Sequence, residues 1–571
     1  MKNSTVSKIM LLLLLSGLMV FAFEFNVKPA KAWTGTVYIR ADGSIDPPDA
    51  PIKRDGNFYT LTGNITSSAD GIVVERDNIM IDGAGYTLRG SGDLVGFNLT
   101  SVSNVIIRNT NIKEFEYGIY MTNTSGNIVI DNNISDCKVY GIILYSIGAR
   151  YTNDNILTNN SISNCSAAIY LESFNNSVIH NYIEKCNYGI RLGYDLNHTL
   201  ISGNTVKNTE AAVYSGPSGI NMYHGIMSNN KFINCCTGFS LVCCYEIEIE
   251  NNWIECYLGG VGLRACSNCS ISNNTIKGLE HRIYGNLSVG IYIEGGFHPG
   301  NISLVANHVF SNKYGLMLTA CNYDVYGNYI IGNTIEENEY GIYFFGGLTG
   351  EEVHDNYIYH NNFLSNVNQV FFNLSWCARQ NIWDNGCPFG GNYWSDYNGT
   401  DLFSGSYQNE TGSDGLGDSP YVIDENNIDH YPLMGPFSSF NTSVGYSVDV
   451  ISNSTIEDFQ YFQSNNTIVM YVSNMTANQT AGFCRITIPH DVMSPPYTIK
   501  VNETTIDYNT IYENYTEGIS IVYFTYKHSK LEITVILEYP STTILLPLML
   551  TTIITTILLK RKRKPKPQPI P

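Results

Sequence analysis

The chain has 571 residues, enough for several domains, yet only 15% of them are charged, while 12% are aromatic and 50 are Gly. This composition is typical of β structure with many turns. The formal net charge of -19 argues against nucleic acid as a partner, because phosphate binding requires clustered Lys and Arg.

Residues 1–32 are predicted to be a secretory signal peptide. Lys2 and Lys8 precede a long apolar run, and the small residues Ala30 and Ala32 flank Lys31. Cleavage after Ala32 fits this pattern. The alternative is an uncleaved anchor helix, because the apolar run is long and the cleavage site lies well beyond it.

Internal repeats dominate the segment 101–375. Segments such as "VIDNNI", "ISNNTI" and "IIGNTI" share an apolar-x-x-Asn-x-apolar pattern, and several are followed by a second element such as "YGIYM". The Gly of that element recurs at intervals of roughly 21 to 30 residues, a solenoid period. The repeated asparagines are Asn132, Asn160, Asn181, Asn204, Asn230, Asn252, Asn274, Asn307, Asn333 and Asn361, and the tyrosines of the second element are Tyr117, Tyr140, Tyr188, Tyr314 and Tyr340.

A coil of this length cannot bury an apolar face alone. Stacked on its neighbours at about 4.8 Å, it pairs its backbone groups with the coils on both sides and buries a continuous core. Equivalent residues then lie above one another, so the repeated Asn is predicted to form a ladder of side-chain amides at a turn. The pattern therefore predicts a solenoid of short β-strands.

The opening segments "RDGNFYTLTGNI" and "GIVVERDNIMIDGAGYTLRG" and the closing segments "GGNYWSDYNGTD" and "DSPYVIDENNIDHYPLM" carry a family resemblance. With the repeat, the chain resembles right-handed parallel β-helix proteins, specifically the NosD-like surface proteins of archaea, of the carbohydrate-binding and sugar-hydrolase β-helix class. The resemblance covers most of residues 33–436. It implies an N-terminal cap and first coils at 33–100, regular repeats at 101–375 and a C-terminal cap at 376–436.

Beyond the cap, residues 437–540 contain alternating strands such as "TIVMYVSN" and "FCRITIP", which predict a small β-sandwich stalk. Ser541–Leu559 carries no charge and is long enough to span a membrane. Residues 560–571 begin with a basic block, predicted to be cytoplasmic. We therefore expect an all-β chain with a right-handed parallel β-helix, a β-sandwich and one C-terminal transmembrane helix, its N-terminal ectodomain outside the cell. About two dozen N-x-[ST] sites, among them Asn64, Asn123, Asn197, Asn286, Asn301 and Asn474, fit an exported glycoprotein.

Two groups of residues in this exported chain suggest cross-links or metal binding. Cys377 and Cys387 bracket a short cap segment and are the candidate disulfide. A D-G-x-G-D loop resembles calcium loops, and its candidate Ca²⁺ ligands are Asp401, Asp414, Asp418 and Asp424; an Asp/Gly turn cluster without an ion is the alternative. One recurring position carries Cys137, Cys165, Cys186 and Cys235 and later Asn312, Asn338 and Asn366; we interpret the four cysteines as buried thiols.

Catalysis has no residue assigned to it. The acids that occur, such as Asp131 and Asp324, do not recur at one coil position, so a polysaccharide lyase or glycoside hydrolase is an alternative only. The NosD resemblance also implies a copper-site maturation role, but the 11 His are spaced singly, as at His180, His224 and His308.

The favoured reading is a membrane-anchored surface protein with a structural, adhesive or carbohydrate-binding role. The expected partners are an extracellular polysaccharide or a surface-layer glycoprotein. The recurring tyrosines could stack on sugars, or pack on one another as structure. Trp383 and Trp394 are expected to seal the end of the core.

Overall fold

The computed structural model describes residues 33–146, 152–194, 196–216, 222–280, 285, 287–296, 300–347, 350–374, 379–527, 529–537 and 553–557. They belong to two compact units, Met1–Arg191 and Leu192–Pro571, which we describe separately as unit 1 and unit 2. The predicted signal peptide lies outside the described residues. So does the predicted membrane segment, except for the helical residues 553–557.

Unit 1 is built of coils that each contribute short strands to three parallel stacks. Stack 1 comprises Phe58–Leu61, Met80–Asp82, Ile106–Arg108, Ile128–Ile130, Ile156–Thr158 and Ser177–Ile179, with Ile52–Asp55 antiparallel at its start. Stack 2 comprises Trp33–Thr34, Ile65–Thr66, Thr87–Arg89, Asn111–Lys113, Asn133–Ser135, Ser161–Ser163 and Tyr182–Glu184. Stack 3 comprises Val37–Ile39, Ile72–Val74, Val95–Thr100, Tyr117–Thr122, Tyr140–Tyr145, Ala167–Glu172 and Tyr188–Leu192, with Ile45–Asp46 antiparallel to its first strand.

Unit 2 also contains three parallel stacks, which we number in the same way. Stack 1 comprises Leu200–Ser202, Ile226–Ser228, Glu248–Glu250, Ser270–Ser272, Ser303–Val305, Tyr329–Ile331 and Tyr357–Tyr359. Stack 2 comprises Thr205–Lys207, Thr275–Gly278, His308–Phe310, Thr334–Glu336, Asn362–Leu364 and Tyr393–Trp394, and stack 3 comprises Ala211–Ser215, Val289–Glu294, Tyr314–Thr319, Tyr340–Phe345 and Asn368–Phe372. Two long strands, Lys231–Val242 and Trp253–Arg264, run through both stacks. Met222–Tyr223 and Cys244–Tyr245 form a small extra pair.

The alternation of side chains across each strand explains the core. In a three-residue strand the middle residue points inward and its neighbours point outward. Ile107, Val129 and Leu157 are fully buried at the middle of stack 1 strands in unit 1, and Ile271 and Leu304 are their counterparts in unit 2. The predicted all-β solenoid of the right-handed type is therefore confirmed.

The turn from stack 1 to stack 2 is made by two residues with different tasks. In "ISNNTI", Asn273 has a φ of 55° and an exposed side chain, whereas Asn274 is fully buried. Asn is among the residues that tolerate this left-handed conformation, so Asn273 makes the turn. Asn274 continues as a hydrogen-bonding ladder, which we call ladder 1.

Ladder 1 has one repeating geometry. The backbone N–H and Nδ2 of Asn252 both donate to Oδ1 of Asn274, at 3.0 and 2.9 Å, and Asn274 donates in the same way to Asn307. In unit 1 the same bonds join Asn132, Asn160 and Asn181; in unit 2 they join Asn204, Asn230, Asn252, Asn274, Asn307, Asn333, Asn361 and Asn392.

Two further ladders were not predicted. Ladder 2, at the turn from stack 2 to stack 3, joins Asn312, Asn338 and Asn366; ladder 3, at the turn from stack 3 to stack 1, joins Asn127, Asn155 and Asn176 in unit 1 and Asn328, Asn356, Asn381 and Asn427 in unit 2. Five of the ladder 3 asparagines precede a ladder 1 asparagine by five residues, as Asn356 precedes Asn361. That spacing was the sequence signal for ladder 3.

Residues 437–537 form two five-stranded antiparallel sheets. One orders Phe437–Asn441, Ser447–Ser452, Ala481–Pro489, Ile519–Lys527 and Asn509–Asn514; the other orders Ser454–Phe462, Thr467–Asn474, Leu531–Leu537, Tyr497–Val501 and Thr504–Ile506. Buried residues of both sheets share one apolar cluster, as expected of a sandwich. The cap before it contains the short pairs Phe403–Ser404 with Glu410–Thr411 and Tyr421–Val422 with Ile428–Asp429.

The sandwich packs directly against the cap. The side chain of Arg485, from the sandwich, is 1% exposed and donates to the backbone oxygens of Asp414 and Pro388. Leu416 and Leu433 of the cap share an apolar cluster with Phe437, Ile451, Phe483 and Tyr523. Within the described residues, no helix is long and apolar enough to cross a membrane.

Candidate functional site

A cleft of about 310 Å³ opens on the outer face of stack 3 in unit 2. It lies where the two long strands Lys231–Val242 and Trp253–Arg264 run side by side. The floor includes Phe239 and Val261, inward-facing residues that are 0% and 1% exposed. The remaining lining residues are Thr237, Ser240, Leu258, Gly259, Gly262, Arg264, Val289, Tyr292 and Met317.

Two glycines create this cleft. A Cβ added to Gly259 or Gly262 would meet its nearest neighbour at 3.6 Å, an ordinary contact, and neither residue has a positive φ. Neither the backbone conformation nor close packing therefore requires glycine at these two positions. Glycine also weakens a strand. Gly260 between them differs, because its Cβ would lie 2.4 Å from Cγ2 of Ile276. Gly260 is explained by packing, whereas the other two leave space open at the surface.

Polar groups with defined contacts stand at one edge of the cleft. The Tyr292 hydroxyl donates to Oε2 of Glu294 at 2.7 Å, and the guanidinium carbon of Arg264 lies 5.5 Å from the Tyr292 ring centroid. Nε of Arg264 is 3.4 Å from the same carboxylate oxygen. Burial, with the hydrogen bond to Glu294, raises the pKa of Tyr292 well above its usual value. The phenol thus stays a neutral donor.

In other coils of both units, tyrosine rings cover the outer face of stack 3, where the cleft has glycines. In unit 2 Tyr314 and Tyr340 stack with ring centroids 5.4 Å apart. In unit 1 Ala167 interrupts the column, and Tyr170 stacks on Tyr140 at 4.9 Å. The recurring tyrosines therefore pack largely on one another, and sugar stacking on them stays a prediction. At the cleft, small residues leave the column open.

A second cleft, of about 470 Å³, lies at the turn before stack 1 in unit 2. His198 and His224, distant in sequence, have ring centroids 5.0 Å apart, and Nδ1 of His224 is 2.7 Å from Oε2 of Glu246. These histidines are not isolated, contrary to their single spacing along the chain. The spacing missed this grouping because the two residues lie at equivalent turns of adjacent coils.

The four predicted calcium ligands occupy the cap. Asp401 accepts the backbone N–H groups of Asp414 and Gly415, both at 2.9 Å, and Asp418 accepts those of Leu402 and Phe403, also at 2.9 Å. Across the part of the chain that the structure describes, no three His, Cys, Asp or Glu side chains form a group that could hold a metal ion.

The other two carboxylates also have partners. Asp414 accepts the backbone N–H of Leu416 at 2.9 Å, and its Oδ2 lies 4.0 Å from Arg485. Asp424 accepts Nδ2 of Asn427 at 3.0 Å. Calcium binding stays a prediction, which calorimetry tests: no heat with Ca²⁺ and no rise in melting temperature would remove it.

The stacked cysteines are buried as predicted from their position. Cys137, Cys165, Cys186 and Cys235 are at most 4% exposed, and the backbone N–H of Cys165 lies 3.5 Å from Sγ of Cys186. The pKa of Cys235 is raised mainly by burial, so its thiolate is disfavoured. Cys377 lies outside the described residues and Cys387 is half-buried, so the Cys377–Cys387 disulfide stays a prediction.

The tryptophans of the cap close the core, as expected. Trp383 and Trp394 are each 1% exposed, with ring centroids 5.9 Å apart. Trp394 stacks on Phe363 of the preceding stack 2 strand, Asn362–Leu364, with ring centroids 4.3 Å apart. Their indole N–H groups donate to Asn427 and Asp429.

Comparisons with known proteins give one family. The family model described as periplasmic copper-binding protein (NosD) matches residues 52–224 and 201–399. No curated protein sequence matches the chain.

Solved structures with a similar fold include three carbohydrate-related proteins. A mannuronic acid specific polysaccharide family 6 lyase from human gut microbiota is 15% identical, with a TM-score of 0.35 over 55% of this chain and 74% of that chain. A mutant of the periplasmic alginate epimerase AlgG is 12% identical, with a TM-score of 0.34 over 61% and 82%. A tailspike protein mutant of E. coli bacteriophage HK620, in complex with a hexasaccharide, is 11% identical, with a TM-score of 0.25 over 89% and 87%. These similarities are too low to inform function.

Proposed function

The chain belongs to the NosD family, and we propose that its β-helix binds carbohydrate in the stack 3 cleft of unit 2. The observation that supports this is the pair Gly259 and Gly262, which leaves a gap in an aromatic column without any backbone requirement. Carbohydrate sites combine an apolar contact face with a few fixed polar groups. Tyr292, Met317 and Arg264 offer that combination here.

The composition of the cleft favours binding over cleavage. Glycoside hydrolysis uses two carboxyl groups at a fixed separation. The lining of the cleft includes no carboxylate, and Glu294 at its edge already accepts the hydroxyl of Tyr292. A lyase or hydrolase therefore stays an alternative, and release of new reducing ends would establish it.

A copper-related role, which the family description suggests, has weaker support. His198, His224 and Glu246 lie together, with Nδ1 of His224 2.7 Å from Oε2 of Glu246. Stacked cysteines also lie side by side, as Cys165 and Cys186 do. No metal-holding group of three occurs among the described residues. The donors in the described part of the chain do not form a copper site, and we assign no step to copper.

We also propose that the protein is exported and tethered by Ser541–Leu559, with the β-helix outside the cell. The support is the sequence alone: the apolar N-terminal run, the uncharged C-terminal segment and the basic tail after it. Membrane fractionation of cells tests this. Deletion of residues 541–571 should move the protein to the soluble extracellular fraction, and unchanged fractionation would contradict the proposal.

The experiment for carbohydrate binding is a glycan array probed with the full chain, followed by calorimetry and an assay for new reducing ends. Gly262→Val should abolish binding while leaving the melting temperature unchanged or slightly higher, because a β-branched residue fits a strand and the space is empty. Ser272→Val, on the outer face of stack 1, is the matched control and should bind normally. Normal binding by the Gly262 variant, or no glycan bound by the wild type, would contradict the proposal.

A further inference from the structure

We infer that the carbohydrate recognised by this cleft carries a carboxylate on its sugar units, and that Arg264 binds this carboxylate. The inference rests on the proposed carbohydrate-binding function and adds the chemical class of the ligand. It depends on how the guanidinium of Arg264 is held and on which of its nitrogen atoms remain open.

Only one side of the guanidinium is paired. Its Nε faces Glu294 at 3.4 Å, and no other carboxylate of the described residues lies within 4.0 Å of this side chain. The neighbour in register on the preceding coil is Val242, which offers no acceptor in its side chain. The side chain of Arg264 is 61% exposed. The two terminal nitrogens therefore present an open fork.

The guanidinium is also held in position. Its carbon lies 5.5 Å from the Tyr292 ring centroid, and the Tyr292 hydroxyl is fixed by Glu294 at 2.7 Å. A cation over an aromatic face at this distance is attracted to it. The carboxylate of Glu294 thus orients both the ring and the cation. A planar fork held in this way matches the two oxygens of a carboxylate.

The rest of the cleft matches the body of a sugar acid. Val289 and Met317 supply apolar contact, and the hydroxyls of Thr237 and Ser240 can exchange hydrogen bonds with ring hydroxyls. Arg264 is the only charged residue in the lining. The formal net charge of the chain, -19, gives no general attraction for a polyanion. Selectivity for an acidic sugar would therefore come from this one side chain.

The test compares an oligogalacturonate with its carboxyl-reduced, neutral counterpart by calorimetry on the full chain. We expect the acidic form to bind at least about tenfold more tightly. Arg264→Gln should remove that preference, and Arg264→Lys should keep part of it, because a lysine retains charge without the fork. Arg379→Gln, at a surface pair with Glu352 of 2.9 Å, is the matched control and should change nothing.

The outcomes separate the two proposals. Equal or tighter binding of the neutral sugar would overturn the carboxylate inference while leaving carbohydrate binding intact. A preference that survives in Arg264→Gln would also overturn it, because the charge would then be read elsewhere. Failure of both sugars and of all array glycans would overturn the proposed function itself. Melting temperatures of the variants verify that each is folded.

Discussion

Replacing Asn274 by Ala removes one member of ladder 1 and should destabilise the solenoid by about 3 to 5 kcal/mol. Asn274 is fully buried, and its Nδ2 donates to the backbone oxygens of Ile249 and Ser272 at 2.8 and 3.0 Å. Nδ2 also donates to Asn307 at 3.0 Å. Its Oδ1 accepts both N–H donors of Asn252. The substitution leaves at least two donors and one acceptor without partners, each worth about 1 to 3 kcal/mol when buried, and partial hydration keeps the total below the sum.

The neighbouring residue supplies the matched control. Asn273 has an exposed side chain and a φ of 55°, which glycine adopts freely, so Asn273→Gly should change stability by less than about 0.5 kcal/mol. Urea unfolding measures the total effect. Amide hydrogen exchange near residues 249–256 measures the local one, because a solenoid can open coil by coil. A loss below about 1 kcal/mol for Asn274→Ala, or equal losses for both variants, would refute the ladder as a source of stability.

Three further predictions concern packing and charge in unit 2. Gly260→Ala should lower the free energy of unfolding by at least about 2 kcal/mol, because its Cβ would lie 2.5 Å from the backbone oxygen of Gly290. Gly262→Ala should be nearly neutral. Thermal melts compare the two variants, and equal effects would contradict the claim that only Gly260 is required by packing. Arg485→Met should cost about 3 to 5 kcal/mol in urea unfolding and expose the cap to proteolysis, because the buried carboxylate of Asp414 loses its cation; an intact cap would contradict this. Burial raises the pKa of Asp429 to about 7, so the folded state holds a proton that the unfolded state releases near pH 4. The contribution of Asp429 to stability should therefore fall by up to about 4 kcal/mol as the pH rises from about 4 to 7. A pH profile of stability with the same slope in Asp429→Asn would contradict the assignment of this effect to Asp429.

The solenoid could be predicted because its cause is local and repeated. An Asn between two inward apolar residues, as at Ile271, Asn274 and Ile276, recurs coil after coil, and stacking alone can bury the three side chains. Ladder 3 was readable at a spacing of five residues but was missed, because Cys269 and Ile302 occupy its position in some coils of unit 2.

The cleft could not be predicted from the sequence, because it forms where neighbouring strands carry small residues or none at paired positions. Gly259 and Gly262 are two among 50 glycines of the sequence. Their role in the cleft becomes visible only from the strand register, which places Gly262 between Ser240 and Tyr292 on the two neighbouring strands. The sequence pattern locates a coil position but does not tell whether a ring from another position leans into the gap, as Tyr170 does in unit 1.

The direction of the hydrogen bonds in the ladders explains why several aspartates lie in the cap. In every ladder the donors point to the next coil, so a ladder needs a final group that accepts these hydrogen bonds without passing them on. A carboxyl oxygen without a proton only accepts, and a carboxyl group keeps such an oxygen even when its other oxygen is protonated. In unit 2 ladder 1 ends when the backbone N–H of Asn392 donates to Asp429 at 2.8 Å, and ladder 3 ends when Nδ2 of Asn427 donates to Asp424 at 3.0 Å.

Ladder 2 ends in the same way through one intermediate residue. Nδ2 of Asn366 donates to Oε1 of Gln369 at 2.9 Å, and Nε2 of Gln369 donates to Oδ1 of Asp396 at 3.2 Å. Three ladders thus end on three different carboxylates of one cap. The acid-rich composition of this region, which resembled a calcium loop in sequence, follows in part from the need to terminate amide ladders. Among the four predicted calcium ligands, Asp424 has this structural role independently of any ion.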